Sequence, residues 1–138
     1  GLHGHPYPRP WANPRHAEVC DLRHDRPVMV LLRYRDPSIR PLLDEALTAL
    51  AASSGFVSGW LGRSPDDADL WVLGAYWRDA GAMRRGLGSY SAKLALGPLQ
   101  AFSAGGDTVL EVLLQHDGAS AISQASDLAP DAAESGPR

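Results

Sequence analysis

The sequence has little cysteine and little net charge. Its single cysteine, Cys20, cannot form an intrachain disulfide, and a lone thiol is more often a small apolar or surface residue than a nucleophile. The net charge is −3, and the 13 lysines and arginines are scattered along the chain, so no basic stripe for nucleic acid is visible. We therefore expect neither cysteine chemistry nor nucleic-acid binding.

The sequence also lacks long apolar runs and cofactor motifs. No stretch approaches the roughly 20 apolar residues that span a bilayer, and the N-terminus has no apolar run of a secretory signal. There is no glycine loop of the kind that cradles phosphates, and His3 and His5 are not part of a tetrahedral ligand pattern. The sequence predicts a cytoplasmic protein with no membrane contact, no metal and no cofactor, while flavin or haem binding without a motif stays open.

The length of 138 residues, 44% of them hydrophobic, suits one domain with one core. Residues 1–26 contain four prolines near the start and are predicted to form an extended arm, in which Tyr7 and Trp11 favour packing over disorder. Residues 118–138 are poor in large apolar side chains and are predicted to be a disordered tail. The folded domain is therefore expected at 27–117.

Hydrophobic periodicity predicts four strands and two helices in the order βαββαβ. The strands are expected at Pro27–Arg35, Phe56–Ser64, Leu70–Trp77 and Asp107–His116. The first helix should follow Ser38 as N-cap and end at Gly55, and the second should follow Asp79 and stop at Gly97. This order predicts an α+β fold of the ferredoxin-like kind.

Strand residues are apolar on both faces of the expected sheet. In the first strand Val28 and Val30 alternate with Met29 and Leu31, so both parities are hydrophobic. Two helices can cover only one face, and a second copy of the same sheet across a two-fold axis is the simplest cover for the other. The sequence therefore predicts a homodimer.

The stretch from about Pro27 to His116 resembles the antibiotic biosynthesis monooxygenase (ABM) domain family of the dimeric α/β-barrel superfamily. The resemblance is carried by the first helix ending in Gly55-Phe56, the hairpin GFVSGWLGRSPDDADLWVLGAYW, the step Trp77-Arg78-Asp79-Ala80, and Ser89. It implies a dimeric α/β barrel. Members of the family include cofactor-free oxygenases that convert phenolic or anthrone rings to quinones, haem-degrading enzymes and proteins of unknown role, so fold transfers more safely than reaction.

The haem-degrading branch of this family is disfavoured. In that branch, the family pattern implies a helix that carries a tryptophan and, ten positions later, a histidine that binds haem. In this sequence Gly86 and Leu96 occupy the corresponding positions. The asparagine that these enzymes place near haem is also missing, because the only asparagine is Asn13 in the arm.

A cofactor-free oxygenase needs a dry pocket for a flat, electron-rich substrate, a proton acceptor, and donors that stabilise the anion before O2 attacks. The residues predicted to be catalytic are Tyr76, Trp77, His116 and Trp60. Those predicted to bind the substrate are Arg33, Tyr34, Met83, Gly86, Leu87 and Tyr90. Core packing is the alternative role for each aromatic residue, and a solvated strand end is the alternative for His116.

Two glycines within one predicted helix, Gly86 and Gly88, cost roughly 1 kcal/mol each relative to alanine. They are expected to thin the helix and open a small-molecule pocket between it and the sheet, although a frayed or kinked helix is the alternative. Arg33 could stabilise an oxyanion, but an ion pair with Glu111 on a neighbouring strand is the plainer expectation.

The leading functional hypothesis is a cofactor-independent monooxygenase that oxidises an aromatic or polyketide-like small molecule with molecular oxygen as co-substrate. One alternative is a non-catalytic ligand-binding or accessory protein of a biosynthetic pathway. Another is a non-oxidative cyclase or isomerase on the same fold, because that chemistry also needs only a base and a shaped pocket.

Overall fold

The computed structural model describes residues 26–128, so the predicted arm before Arg26 and the last ten residues lie outside the described range. Its centre is an antiparallel sheet of four strands in the order β2-β3-β1-β4. The strands are β1 (Val28–Arg35), β2 (Phe56–Arg63), β3 (Leu70–Trp77) and β4 (Thr108–Glu111). This strand order confirms the predicted α+β, ferredoxin-like fold.

Helix α1 spans Arg40–Ala51 and packs the predicted apolar stripe onto the sheet. Its fully buried positions are Leu43, Ala46 and Leu50. The helix begins after Ile39 without a side-chain cap, because Ser38 is used elsewhere: its N–H and hydroxyl both donate to Asp36 Oδ1, at 2.8 and 2.7 Å. The predicted cap at Ser38 is therefore wrong by one residue.

The second predicted helix is two helices. Helix α2 (Ala80–Leu87) begins as expected, with Asp79 Oδ1 accepting from the N–H of Ala82 at 2.7 Å. Ser89 then adopts an extended conformation and caps a new helix, α3 (Tyr90–Leu96). A 3-10 helix, Gly97–Phe102, follows directly. The α-helix therefore stops before Gly97, as predicted, but the chain continues as a 3-10 helix.

The fourth predicted strand is interrupted after Glu111. Strand β4 pairs with β1 only as far as Val28, and the last bond joins the N–H of Val112 to the carbonyl of Pro27 at 3.0 Å. Beyond that point β1 offers no further partner, so the chain turns away. Strand β5 (Leu114–His116) instead pairs with β6 (Ala121–Ser123) in a separate hairpin.

Strand β6 lies in the segment predicted to be a disordered tail. Residues 124–128 are also held to the domain, because the N–H of Gln124 donates to the carbonyl of Leu113 at 2.8 Å and Arg26 binds Asp127. The expectation of disorder is therefore wrong for 118–128, and 129–138 lie outside the described residues.

The core lies between the helices and one face of the sheet, here called the helix face. Its fully or nearly fully buried residues include Val30, Leu43, Leu50, Leu73, Trp77 and Leu99. The opposite face, here called the open face, carries Met29, Leu31, Arg33, Trp60, Val72, Tyr76 and Leu110, as the strand register requires. Within residues 26–128 the helices are all too short or too polar to traverse a bilayer.

Gly86 is the point at which α2 touches the sheet. A Cβ at this position would lie 2.3 Å from Cη2 and 2.5 Å from Cζ3 of Trp77, well inside van der Waals contact. The glycine thus allows close packing of the helix on the indole ring and leaves no room there for a ligand. The expectation that Gly86 opens a pocket is wrong, and Gly88 is an exposed residue at the end of α2.

Replacing Gly86 with alanine should therefore destabilise the protein by about 1–3 kcal/mol, because the added methyl group must displace either Trp77 or the helix. Gly97→Ala is the matched control: Gly97 is helical and no atom lies within 4 Å of its Cβ position, so that substitution should stabilise by about 0.5–1 kcal/mol. Urea unfolding of both variants measures the difference. Equal stabilities for the two variants would contradict the packing assigned to Gly86.

Candidate functional site

The sheet separates the residues predicted to be catalytic. Tyr76 and Trp77 are consecutive in β3, so their side chains must point to opposite faces. Tyr76 and Trp60 lie on the open face, whereas Trp77 lies on the helix face. The expectation that these three residues share one pocket is wrong.

The two open-face aromatic residues have different surroundings. Trp60 remains 49% exposed and lies over Gly74, with its Cε3 3.3 Å from the Cβ position of that glycine. Tyr76 is almost fully buried, and its hydroxyl accepts a short hydrogen bond from Nε2 of Gln115. This bond ties β5 to the open face of the sheet.

His116 and Tyr90 are both exposed and do not line the groove described below. His116 is exposed, and its Nδ1 accepts from the N–H of Gly118 at 2.9 Å, so the ring supports the turn between β5 and β6. Tyr90 is 77% exposed at the start of α3. Neither position supports the role predicted for it.

The predicted ion pair between Arg33 and Glu111 is absent. Arg33 lies opposite Val72 and beyond the last residue that pairs with β4, while Glu111 lies at the other end of that strand, opposite Val28. Nη1 of Arg33 is buried and has no hydrogen-bond partner among residues 26–128. Glu111 accepts from the hydroxyl of Ser126 instead.

On the helix face, the predicted residues Tyr34 and Met83 belong to the same buried core as Trp77, although Tyr34 lies opposite Trp71 at the other end of β3. Gly86 is buried against the Trp77 ring, and Leu87 packs against the core. The indole of Trp77 is fully buried and meets Phe56 edge to face, with ring centroids 5.4 Å apart. Its Nε1–H has no acceptor in the described part of the chain. A buried donor left unpaired costs about 1–3 kcal/mol, so this N–H needs an explanation beyond packing.

Tyr34 is protonated at neutral pH. Burial, with a smaller contribution from the negative charge of Asp107, raises its pKa to about 12. Its hydroxyl is therefore suited to donating a hydrogen bond and unsuited to accepting a proton from a substrate.

A groove of about 580 Å³ opens between α2 and the end of the sheet at which β1 begins and β4 ends. Its lining consists of Arg26, Val28, Asp79, Ala80, Gly81, Arg85, Glu111 and Asp127. Its volume falls within the range of about 300–1,000 Å³ that is usual for small-molecule sites. A groove therefore lies between the second helix and the sheet, as expected, but its lining contains none of the residues predicted to be catalytic or to bind the substrate.

One wall of the groove comes from residues 124–128, here called the C-terminal strap. Nε of Arg26 lies 2.7 Å from Oδ1 of Asp127, and Nη1 of Arg26 donates to the carbonyl of Ala125 at 3.0 Å. Glu111 accepts from the Ser126 hydroxyl and from the N–H of Asp127, the latter at 2.7 Å. Two charged side chains of the domain thus hold the strap in place.

These contacts also fix the charge of Glu111. The Ser126 hydrogen bond, the Asp127 N–H and the nearby Arg26 charge lower its pKa. Glu111 therefore remains a carboxylate at neutral pH and is a weak base for a phenol or enol. Within the described part of the chain, no three His, Cys, Asp or Glu side chains come together to hold a metal.

Sequence reasoning missed the groove for two reasons. The wall formed by the strap depends on long-range contacts of a segment whose composition indicates disorder. Arg85 and Gly81 carry no motif, and their common feature is a spacing of four residues, which places them on one side of α2. Asp79 had a readable signal as the cap of that helix, and Glu111 was noticed only as an expected partner of Arg33.

No family model and no curated protein matches the chain. Among solved structures it is similar to SnoaB, a cofactor-independent oxygenase from Streptomyces nogalater, with 23% identity, a TM-score of 0.61, and coverage of 67% of this chain and 98% of that one. It is also similar to a putative antibiotic biosynthesis monooxygenase from Chloroflexus aurantiacus J-10-fl (18% identity, TM-score 0.54, coverage 65% and 96%). A third similar structure is that of Rv0793 from Mycobacterium tuberculosis, with 26% identity, a TM-score of 0.53, and coverage of 68% of this chain and 99% of that one. The fold is that of the antibiotic biosynthesis monooxygenases, which confirms the predicted resemblance at the level of the fold.

The raised pKa of Tyr34 predicts a loss of stability in alkali. In the unfolded chain the phenol ionises near pH 10, whereas in the folded protein it keeps its proton to about pH 12, so the free energy of unfolding falls as the pH rises between these values. The slope has a limit of about 1.4 kcal/mol per pH unit for one proton. Urea unfolding at pH 9.5 and 11.5 should show a smaller loss in Tyr34→Phe than in the parent protein. The exposed Tyr90 supplies the control, Tyr90→Phe, and equal losses in all three proteins would refute the assignment.

Proposed function

We propose that the protein is a cofactor-independent oxygenase that oxidises an aromatic or polyketide-like small molecule, of the phenol or anthrone type, to a quinone. The observation that carries this proposal is the groove between α2 and the sheet, in a fold shared over almost the whole length of SnoaB. SnoaB is described as a cofactor-independent oxygenase, which supports the same general chemistry here.

The groove is close to the buried Trp77 because one of its lining residues belongs to the neighbouring strand on the same face of the sheet. Val28, which forms part of the lining, is the cross-strand neighbour of Trp77, and directly opposed residues in an antiparallel pair have Cβ atoms about 4.5–5.5 Å apart. The backbone of Trp77 therefore lies one strand away from the groove lining, and its Nε1–H has no acceptor among residues 26–128. We infer that a substrate oxygen is its acceptor, because a donor that finds its partner only in the reacting complex can stabilise developing negative charge.

The reaction needs no electron carrier beyond the substrate. When an anthrone is converted to a quinone, its CH2 group becomes a carbonyl, one oxygen atom of O2 enters the product, and the other leaves as water with the two hydrogens. All the electrons come from the substrate. The protein would bind the flat ring, exclude water and stabilise the anion from which O2 takes its electrons.

A second candidate function is ligand binding without turnover, as an accessory protein of a biosynthetic pathway. The state of Glu111 favours this alternative, because a carboxylate with a lowered pKa is a weak proton acceptor. A non-oxidative cyclase or isomerase would require a stronger base in the same groove. Oxygen consumption separates the proposed activity from both.

We also propose that the protein is a homodimer joined through the open face of the sheet. Trp60 and Leu110 on that face are 49% and 44% exposed, and apolar surface of this kind is stabilised when a second copy covers it. A cytoplasmic location is likewise a proposal from the sequence.

The decisive assay is oxygen uptake by the purified, metal-stripped protein with a panel of anthrones and polyhydroxylated naphthalenes, with quinone absorbance followed in parallel. We expect one O2 consumed for each quinone formed. Trp77→Phe, which keeps the ring and removes the N–H, should lower kcat by about 10²–10³-fold, the usual effect of losing one donor to a developing oxyanion.

Trp71→Phe is the matched control for that substitution. Trp71 is also a buried β3 tryptophan on the helix face, but its Nε1–H already donates to the carbonyl of Asp36 at 2.8 Å. Its replacement should cost stability and leave kcat unchanged for the folded fraction. Substrate binding without oxygen uptake would refute the oxygenase and favour the accessory or cyclase function.

A further inference from the structure

The charges that line the groove are neutralised to very different extents. Arg26 is paired with Asp127 at 2.7 Å, and Glu111 accepts two hydrogen bonds from the C-terminal strap. Asp79 caps α2 through Oδ1 and has its Oδ2 3.5 Å from Nε of Arg78. Each of these four groove charges therefore has a partner within the protein.

Arg85 is the exception. It lines the groove from the second turn of α2, and no hydrogen bond or ion pair joins its side chain to another residue in the range 26–128. Its Nη1 lies only 3.2 Å from the Cβ position of Gly81, so the guanidinium extends along the bare backbone of the first turn. The absence of a side chain at Gly81 lets the guanidinium lie there.

A guanidinium presents its N–H groups in a planar fork that matches the two oxygens of a carboxylate. The groove has two arginines against three carboxylates, which leaves one net negative charge and disfavours a doubly charged ligand such as phosphate. A single negative charge placed at Arg85 meets the cation of the groove lining that has no partner among residues 26–128, whereas the nearby Oδ1 of Asp79 already accepts a hydrogen bond from the N–H of Ala82.

The rest of the lining suits a flat apolar ring. Val28, Ala80 and Gly81 present small or apolar surfaces beside Arg85. A ring on these residues would bury apolar area, and its acidic substituent would then reach the guanidinium. Beside its paired charges, the groove thus combines a small apolar surface with one charged side chain that has no partner among residues 26–128, and a ligand can use both.

We propose that the groove selects planar aromatic molecules that carry a single carboxylate, and that Arg85 is the residue that binds this carboxylate. The inference rests on the proposed function only because both place the ligand in the same groove. Binding of the carboxylate by Arg85 requires no turnover. Arg85 is a specificity residue, which sets the affinity for the acid over its neutral analogue.

The test is a binding measurement on the full chain with 2-naphthoate and its neutral isostere 2-naphthamide, by isothermal titration calorimetry at low salt. The parent protein should bind the acid at least about tenfold more tightly than the amide, the lower range for a charge-assisted hydrogen bond. Arg85→Gln should lower the affinity for the acid to that for the amide and leave the affinity for the amide unchanged. Raising the salt concentration should weaken the binding of the acid and leave the binding of the amide unchanged.

Arg84→Gln is the matched control, because Arg84 is the adjacent, exposed arginine of the same helix and does not line the groove. It should keep the preference for the acid, and thermal unfolding verifies that both variants are folded. Equal affinities of the parent protein for acid and amide, no binding of either probe at millimolar concentration, or a preference that survives in Arg85→Gln would each overturn the proposal.

The outcome is independent of oxygenase activity. A preference for the acid that depends on Arg85, in a protein that consumes no oxygen, would sustain this inference and refute the proposed oxygenase. Oxygen uptake by a protein that binds the acid and the amide equally tightly would support the proposed oxygenase and refute this inference.

Discussion

The packing of α2 on Trp77 is the contact on which the arrangement of the site depends. Gly86 allows the helix backbone to reach the indole ring, and the same contact fixes the distance between α2 and the sheet. Asp79 starts the helix at the end of β3, so the first turn of α2 forms one side of the groove. A side chain at Gly86 would push the helix outward, and the groove and the buried N–H of Trp77 would change together.

The groove is completed by electrostatic contacts that are local to its rim. Arg26, just before β1, and Glu111, at the end of β4, bind the C-terminal strap from two sides. Most of the groove charges thereby have partners, whereas within residues 26–128 the exposed guanidinium of Arg85 and the buried Nε1–H of Trp77 have none. An apolar surface with two unused donors suits a flat molecule with acceptor oxygens, and this chemistry connects the proposed oxygenase to the proposed selectivity for a carboxylate.

The order of the elements could be predicted from the sequence because it depends on local periodicity. The strands β1, β2 and β3, the start of α2 at Asp79 and the ferredoxin-like order all follow from apolar spacing and capping residues. The site could not be predicted from the sequence, because its residues come together only through tertiary contacts. Glu111 was expected to pair with Arg33, but the register of β4 on β1 places it opposite Val28, and the strap that binds it has the composition of a disordered tail.

The central claim is that the buried N–H of Trp77 serves a ligand in the groove. The most direct test is a 15N-resolved NMR titration of the tryptophan indole N–H signals with a substrate-like anthrone under anaerobic conditions. The account predicts that the Trp77 signal moves downfield as its hydrogen acquires an acceptor, while that of Trp71, already bonded to Asp36, stays in place. A ligand that binds and leaves the Trp77 signal unmoved would contradict the account.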